Sequence, residues 1–203
     1  MKNHTHFRRG LAALAACQVF LSGPTLAQGD AEAGREIGFT CLGCHGIEGQ
    51  RNAYPSFRVP RLAGQKSEYL ESALNAYRNG NRPHPTMQAQ AGSLTDDDVD
   101  NLIAWLSGYD EADDTATAEQ VADVPAAQIC VTCHGADGGA VMPAPPVLAG
   151  QHEDYLVYAL KQYKDGSRSG NVMSAFAATL SEADMEMLAA FYASQDGVET
   201  LDQ

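Results

Sequence analysis

At 203 residues the chain is long enough for one ordinary domain or two small ones. It sets 26 Asp and Glu against 13 Lys and Arg, a formal net charge of −13, which argues against nucleic acid or an anionic lipid surface as an electrostatic partner. An acid-rich, salt-adapted proteome would give the same bias, so charge alone names no partner.

In chain order, Lys2, Arg8 and Arg9 precede an apolar run over residues 10–21, and Thr25-Leu26-Ala27 supplies small residues at a cleavage site. That is the layout of a secretory signal peptide over residues 1–27, with an apolar core too short to span a bilayer. Leu14-Ala15-Ala16-Cys17 offers a rival, a lipoprotein-type site with Cys17 as the anchored residue. The short apolar segment ahead of Cys17 and the apolar Val19-Phe20-Leu21 beyond it favour cleavage after Ala27. Cleavage removes three basic and no acidic side chains, so 10 Lys and Arg then face 26 Asp and Glu, a net charge of −16. The expected compartment is the periplasm.

A helix is expected from Ala31 to Cys41, leading into Cys41-Leu42-Gly43-Cys44-His45. C-x-x-C-H is the attachment signature of c-type haem: two thiols bond to the porphyrin vinyl groups and the histidine takes one axial position of the iron. The motif recurs as Cys130-Val131-Thr132-Cys133-His134, and a glycine follows each copy. A four-cysteine zinc ribbon would close over roughly 15–20 residues, whereas 85 residues separate Cys44 from Cys130. A thioredoxin-like pair or a disulfide needs no histidine after both second cysteines. Two covalent haems are therefore expected, held by Cys41, Cys44, Cys130 and Cys133, with His45 and His134 on the irons.

Downstream of the motifs the chain repeats at an offset of 86. Pro60, Leu62, Gly64 and Gln65 fall on Pro146, Leu148, Gly150 and Gln151, and Tyr69, Leu70, Leu74 and Tyr77 on Tyr155, Leu156, Leu160 and Tyr163. This is a tandem duplication. The motifs themselves lie 89 apart, so the first copy carries three extra residues between His45 and Pro60. Each copy reads as helical: an apolar face from Tyr69 to Tyr77 ends at Gly80, its counterpart ends at Gly166, and Thr95-x-x-Asp98 and Ser181-x-x-Asp184 open a last helix. Pro125 should break or shorten the helix ahead of the second motif. No alternating strand pattern stands out. Residues 110–117 are polar and acidic and read as a solvated linker between domains spanning 28–109 and 118–203.

The sixth iron ligand decides between electron transfer and substrate binding. Met87, 42 residues after His45, and Met173, 39 after His134, occupy equivalent repeat positions in what read as interhelical loops. A thioether is soft and favours ferrous iron, so His/Met ligation makes a carrier. His84 lies in the same loop as Met87 and is the rival ligand, but its repeat equivalent is Gly170. His152, the equivalent of Lys66, reads as a surface histidine. Pro60 and Pro146 are candidate carbonyl acceptors for the ligand histidines. Tyr77, Tyr163, Arg82 and Arg168 are candidates for the haem propionates.

The duplicated C-x-x-C-H-G, the Pro-x-Leu-x-Gly loops, the paired methionines and the closing helices together resemble a dihaem cytochrome c of the cytochrome c4 type, over essentially all of the chain after residue 27. The resemblance implies an all-α chain of two tandem class I cytochrome c domains related by an approximate two-fold axis, with haem propionate edges facing each other. It implies a periplasmic electron carrier, not an enzyme, between a quinol-oxidising complex as donor and a terminal oxidase as acceptor; peripheral contact with the membrane surface stays open. The alternatives are the cytochrome subunit of a dehydrogenase, such as a flavocytochrome sulfide dehydrogenase, and an enzyme of the dihaem peroxidase or thiosulfate-oxidising kind.

Overall fold

The computed structural model describes residues 29–109, 124–142 and 144–202. The expected signal peptide, with Cys17, and the expected acidic linker lie outside the described residues. Helices form two series. The first comprises α1 (Ala31–Ile37), α2 (Phe39–His45), α3 (Ser67–Arg78), α4 (Pro85–Ser93) and α5 (Asp96–Leu106). In the second, a 3-10 turn (Pro125–Ala127) is followed by α6 (Val131–His134), α7 (Glu153–Asp165), α8 (Met173–Ala177) and α9 (Glu182–Ala193). Among the described residues β pairing is limited to two isolated bridges, Arg51 with Arg58 and Ala63 with Glu199. The chain is all-α, as expected.

The helix expected over 31–41 is two helices. Asp30 caps α1 by accepting the Glu32 and Ala33 N–H groups at 2.9 and 3.2 Å. The chain then turns at Gly38, where a Cβ would lie 2.1 Å from the Trp105 indole, and α2 carries the whole motif through to His45. At Gly34 a Cβ would lie 2.0 Å from the Asn101 carbonyl oxygen, so α1 and α5 cross with their backbones in contact. In the second series Pro125 leaves only the 3-10 turn, which buries Val124 and Ala127 against Leu188, Ala189 and Tyr192 of α9.

The other predicted boundaries hold. Thr95 accepts the Asp98 N–H at 3.1 Å while the Asp98 carboxylate takes the Thr95 N–H at 2.8 Å, and Ser181 and Asp184 repeat the box at 3.1 and 2.9 Å. α7 stops on Gly166, which takes the left-handed conformation at φ +77°. The first core gathers Leu70, Leu102, Trp105 and Leu106, together with Leu201 from the far end of the chain. Each fully buried leucine contributes roughly 1.5–3 kcal/mol.

The two halves meet along a reciprocal seam. The Gln65 carboxamide takes the Val147 N–H at 2.8 Å and donates to the Val147 carbonyl at 3.1 Å. Its repeat equivalent Gln151 does the same to Arg61, at 3.0 Å for both bonds. One-sided contacts reinforce the seam. Fifteen positions separate His45 from Pro60 and twelve separate His134 from Pro146, and the longer loop folds back on itself, with Asn52 N–H donating to the Phe57 carbonyl at 2.8 Å. It presents Phe57, 4% exposed, to Tyr158 of the other half, where the rings stack with centroids 4.1 Å apart. Arg51 and Arg58 both reach Asp154 of that half at 3.0 Å.

Candidate haem sites

α2 places Cys41, Cys44 and His45 three and four residues apart, which puts them on neighbouring positions of one helical face. In the second half α6 begins just after Cys130 and carries Cys133 and His134. No disulfide joins the four motif cysteines. Burial pushes the Cys41 and Cys130 thiols up, the reverse of what a thioredoxin-type nucleophile requires. Among the described residues no three His, Cys, Asp or Glu side chains converge as a metal cluster.

Each motif histidine is oriented by a proline carbonyl, as expected. His45 Nδ1 lies 2.7 Å from the Pro60 oxygen and His134 Nδ1 lies 3.0 Å from the Pro146 oxygen. With Nδ1–H donating there, Nε2 keeps its lone pair for a ligand on the far side of the ring. Burial pulls the His45 pKa down to about 4, although the Pro60 bond works the other way. Burial likewise lowers that of His134, against the Pro146 bond. Both rings are therefore held neutral, the form that binds iron.

The methionines are not in loops. Met87 sits in the first turn of α4, where Pro85 presets the helical φ and His84 is the N-cap, its Nδ1 accepting the Met87 N–H at 3.3 Å. Met173 is the first residue of α8, its N–H donating to Asn171 Oδ1 at 2.9 Å. Both expectations of an interhelical loop are thus corrected: Met87 lies in the first turn of α4, which starts at Pro85, and Met173 opens α8. One continuous cavity runs through both halves, and His45, Met87, His134 and Met173 all border it. His84 borders it too, with Nδ1 committed to the cap.

Arg82 and Arg168, 6% and 5% exposed, line this cavity. Each guanidinium covers a tyrosine ring of its own half, Tyr77 at 4.4 Å and Tyr163 at 4.5 Å. Each also donates across the seam, Arg82 to the Tyr155 hydroxyl and Arg168 to that of Tyr69 at 2.9 Å. Ion pairs among the described residues use Arg51, Arg58, Arg61, Arg78 and Lys161, and neither buried arginine is in one. Two buried cations without a carboxylate call for an anion. The strain reaches Tyr69: burial alone would raise its pKa, yet Arg82 and Arg168 pull it down to about 7. Arg61 Nε is also buried without a hydrogen-bond partner and borders the same cavity. An apolar porphyrin with two propionates answers both the cavity and these charges, so the residues present fit haem.

Two features escaped the sequence reading. Tyr69 and Tyr155 read as helix core, and their repetition at the offset of 86 was the available signal, shared with every core position of the same helix. His152 is not a surface residue: it is 5% exposed, because it stands at the start of α7 where the seam closes over it.

Comparisons with known proteins agree with this geometry. A family model for cytochrome c matches residues 31–110, and one for cytochrome c oxidase, cbb3-type, subunit III matches residues 116–191. Cytochrome c4 of Pseudomonas aeruginosa is 40% identical over 84% of this chain and 91% of its own length. The thiosulfate dehydrogenase electron acceptor of Stutzerimonas stutzeri is 30% identical over 79% of this chain and 81% of its own. Among solved structures, reduced cytochrome c4 from Pseudomonas stutzeri superposes with a TM-score of 0.66 at 27% identity, over 84% of this chain and all of that one. A thiosulfate dehydrogenase from Marichromatium purpuratum gives 0.67 at 30% identity over 81% of this chain, which spans only 40% of that longer one. With two cytochrome c domains in tandem and relatives of this identity over most of its length, the chain belongs to the cytochrome c4 family, dihaem electron-transfer cytochromes with two covalently bound haem c groups.

Proposed function

We propose that this chain is a periplasmic carrier of single electrons. One domain, over residues 28–109, would attach its haem through Cys41 and Cys44, with His45 and Met87 holding the iron. A linker over 110–117 joins it to a second, over 118–203, which uses Cys130 and Cys133 with His134 and Met173. The observation that carries this reading is the duplicated donor set: in each half a proline-oriented histidine and a methionine at a helix start border the same cavity.

Bound haem supplies an iron that exchanges one electron between its ferric and ferrous states. The chain's own part is to tune that exchange. The Pro60 and Pro146 carbonyls orient the imidazoles and make them better donors. Met87 and Met173 would favour the ferrous state, apolar walls such as Leu70 and Leu156 keep water out, and Arg82 and Arg168, buried where the two halves meet, would hold propionate charge. With a histidine and a methionine of the chain on each iron, the protein would leave no place there for a substrate, and the chain would act as a carrier rather than an enzyme.

A quinol-oxidising complex suits the role of donor and a terminal oxidase that of acceptor. A second reading makes the chain the electron acceptor of a dehydrogenase, favoured by its 30% identity to a thiosulfate dehydrogenase electron acceptor. Stopped-flow reduction separates the two: rapid reduction by a quinol-oxidising complex supports the first, and rapid reduction by a thiosulfate dehydrogenase with its substrate supports the second. The ligand assignment has its own test. The oxidised protein should show the weak long-wavelength sulfur-to-iron band at two-site intensity, and Met87→Ala and Met173→Ala should each remove about half of it. A band untouched by Met87→Ala but altered by His84→Ala would make the first haem bis-histidine.

A further inference from the structure

The last residues of the chain belong by sequence to the second half, yet they finish the first. Beyond α9, Val198 N–H donates to the Ala149 carbonyl at 2.9 Å. The chain passes so close there that a Cβ on Gly197 would lie 2.2 Å from the Ala149 oxygen. It then crosses the seam and pairs with Ala63 through two bonds of 3.1 Å, Ala63 N–H to the Glu199 carbonyl and Glu199 N–H to the Ala63 carbonyl. Ala63 and Ala149 are equivalent positions of the repeat, so one extended segment is pinned to the same place in both halves.

Leu201 comes next. Its side chain, 1% exposed, joins the core of Leu70, Leu102, Trp105 and Leu106, and Leu42 of the first haem motif packs against that same cluster. Its N–H donates to the His45 carbonyl at 3.2 Å, at the end of α2, where helical carbonyls run out of partners. Thr200 donates to the Glu48 carboxylate just beyond the motif, and Asp202 accepts the Tyr109 hydroxyl at 2.8 Å. The arrangement is one-sided. In the second half the His134 carbonyl is served from within, by the Ala140 N–H at 2.8 Å.

We infer that Leu201 is a positioning residue for the first haem: residues 198–202 form a strap through which the second half holds α2, and with it the His45 imidazole, in place. Through this contact the dependence runs one way, because the His134 carbonyl is served by Ala140 of its own half. This rests on His45 being an axial ligand. Losing the strap would admit water to the proximal side of the first haem, and water favours the more charged ferric state, lowering that potential.

The test uses the full-length, haem-loaded protein and two variants. Leu201→Pro removes the N–H donor while keeping an apolar side chain, and a deletion of residues 198–203 removes the strap. Both potentials are measured by redox titration and assigned by which step Met173→Ala displaces. Limited proteolysis with mass detection follows release of the haem peptides bearing Cys41–Cys44 and Cys130–Cys133 separately. The strap predicts a lower potential for the first haem only, and release of its peptide at least about tenfold faster, with the second haem unchanged in both readouts. Unchanged potentials and release rates in both variants, or equal shifts at both haems, would overturn it. A parent protein lacking the sulfur-to-iron band would overturn the His/Met assignment instead, and is read before any variant is made.

Discussion

Arg82 and Arg168 are the residues on which the electrostatics of the two sites turn. A buried guanidinium beside a haem stabilises the reduced state, which carries one positive charge fewer. Arg82→Gln or Arg168→Gln should therefore lower the potential of a neighbouring haem by roughly 1 kcal/mol, about 40 mV for one electron; a redox titration with both midpoints unmoved would remove the arginines from this role. His152 sets a pH dependence of a different kind. Burial first, and then Arg61 and Arg58, hold its pKa below the usual 6.5, against the opposing pull of Glu48 and Asp154. The unfolded chain thus takes up this proton before the folded one does. The stability that follows is full above about pH 6.5 and is lost as the pH falls through the lower, folded value. Between pH 7.5 and 5 the melting temperature should drop, and His152→Gln should flatten part of that slope; an identical slope in the variant would locate the titration elsewhere.

At the level of helices, two glycines make opposite predictions. Gly34→Ala would press a methyl into the Asn101 carbonyl at the α1–α5 crossing and should cost about 1–3 kcal/mol in urea denaturation. Gly92, inside α4 with open space where a Cβ would go, should tolerate alanine and gain up to about 1 kcal/mol. Equal effects from the two would mean the crossing is looser than described. What was legible in the sequence follows from what is local. Capping boxes, the Gly166 stop and the duplicated core face are written within a few residues of where they act, and the repeat made each visible twice. Pro60 and Pro146 were found for the same reason. The start of α4 was missed because Pro-Thr-Met-Gln-Ala-Gln carries no apolar period, and the break at Gly38 because its cause is Trp105, 67 positions away. Tyr155, His152, Phe57 and Leu201 take their roles from contacts between halves, which no local pattern encodes.

For the molecule as a whole, magnitudes decide what holds the seam. The Arg51 and Arg58 side chains are 49% and 36% exposed and Asp154 is 27% exposed, so this partly solvated cluster is worth no more than about 1 kcal/mol. Phe57 is buried, and its truncation should cost roughly 3–5 kcal/mol. Asp154→Asn should leave thermal unfolding as a single transition followed at either haem, whereas Phe57→Ala should split it into two; a split caused by the aspartate variant alone would reverse the ranking. The paired glutamines have a further consequence. Gln65 on Val147 and Gln151 on Arg61 are one contact made twice, i to j and j to i, which is how identical chains associate about a two-fold axis. Tethered in one polypeptide, such an association becomes a dimer that dilution cannot separate. Each half meets the other at the effective concentration the tether sets, so a seam too weak to hold free chains together at micromolar levels is enough to keep the two halves paired.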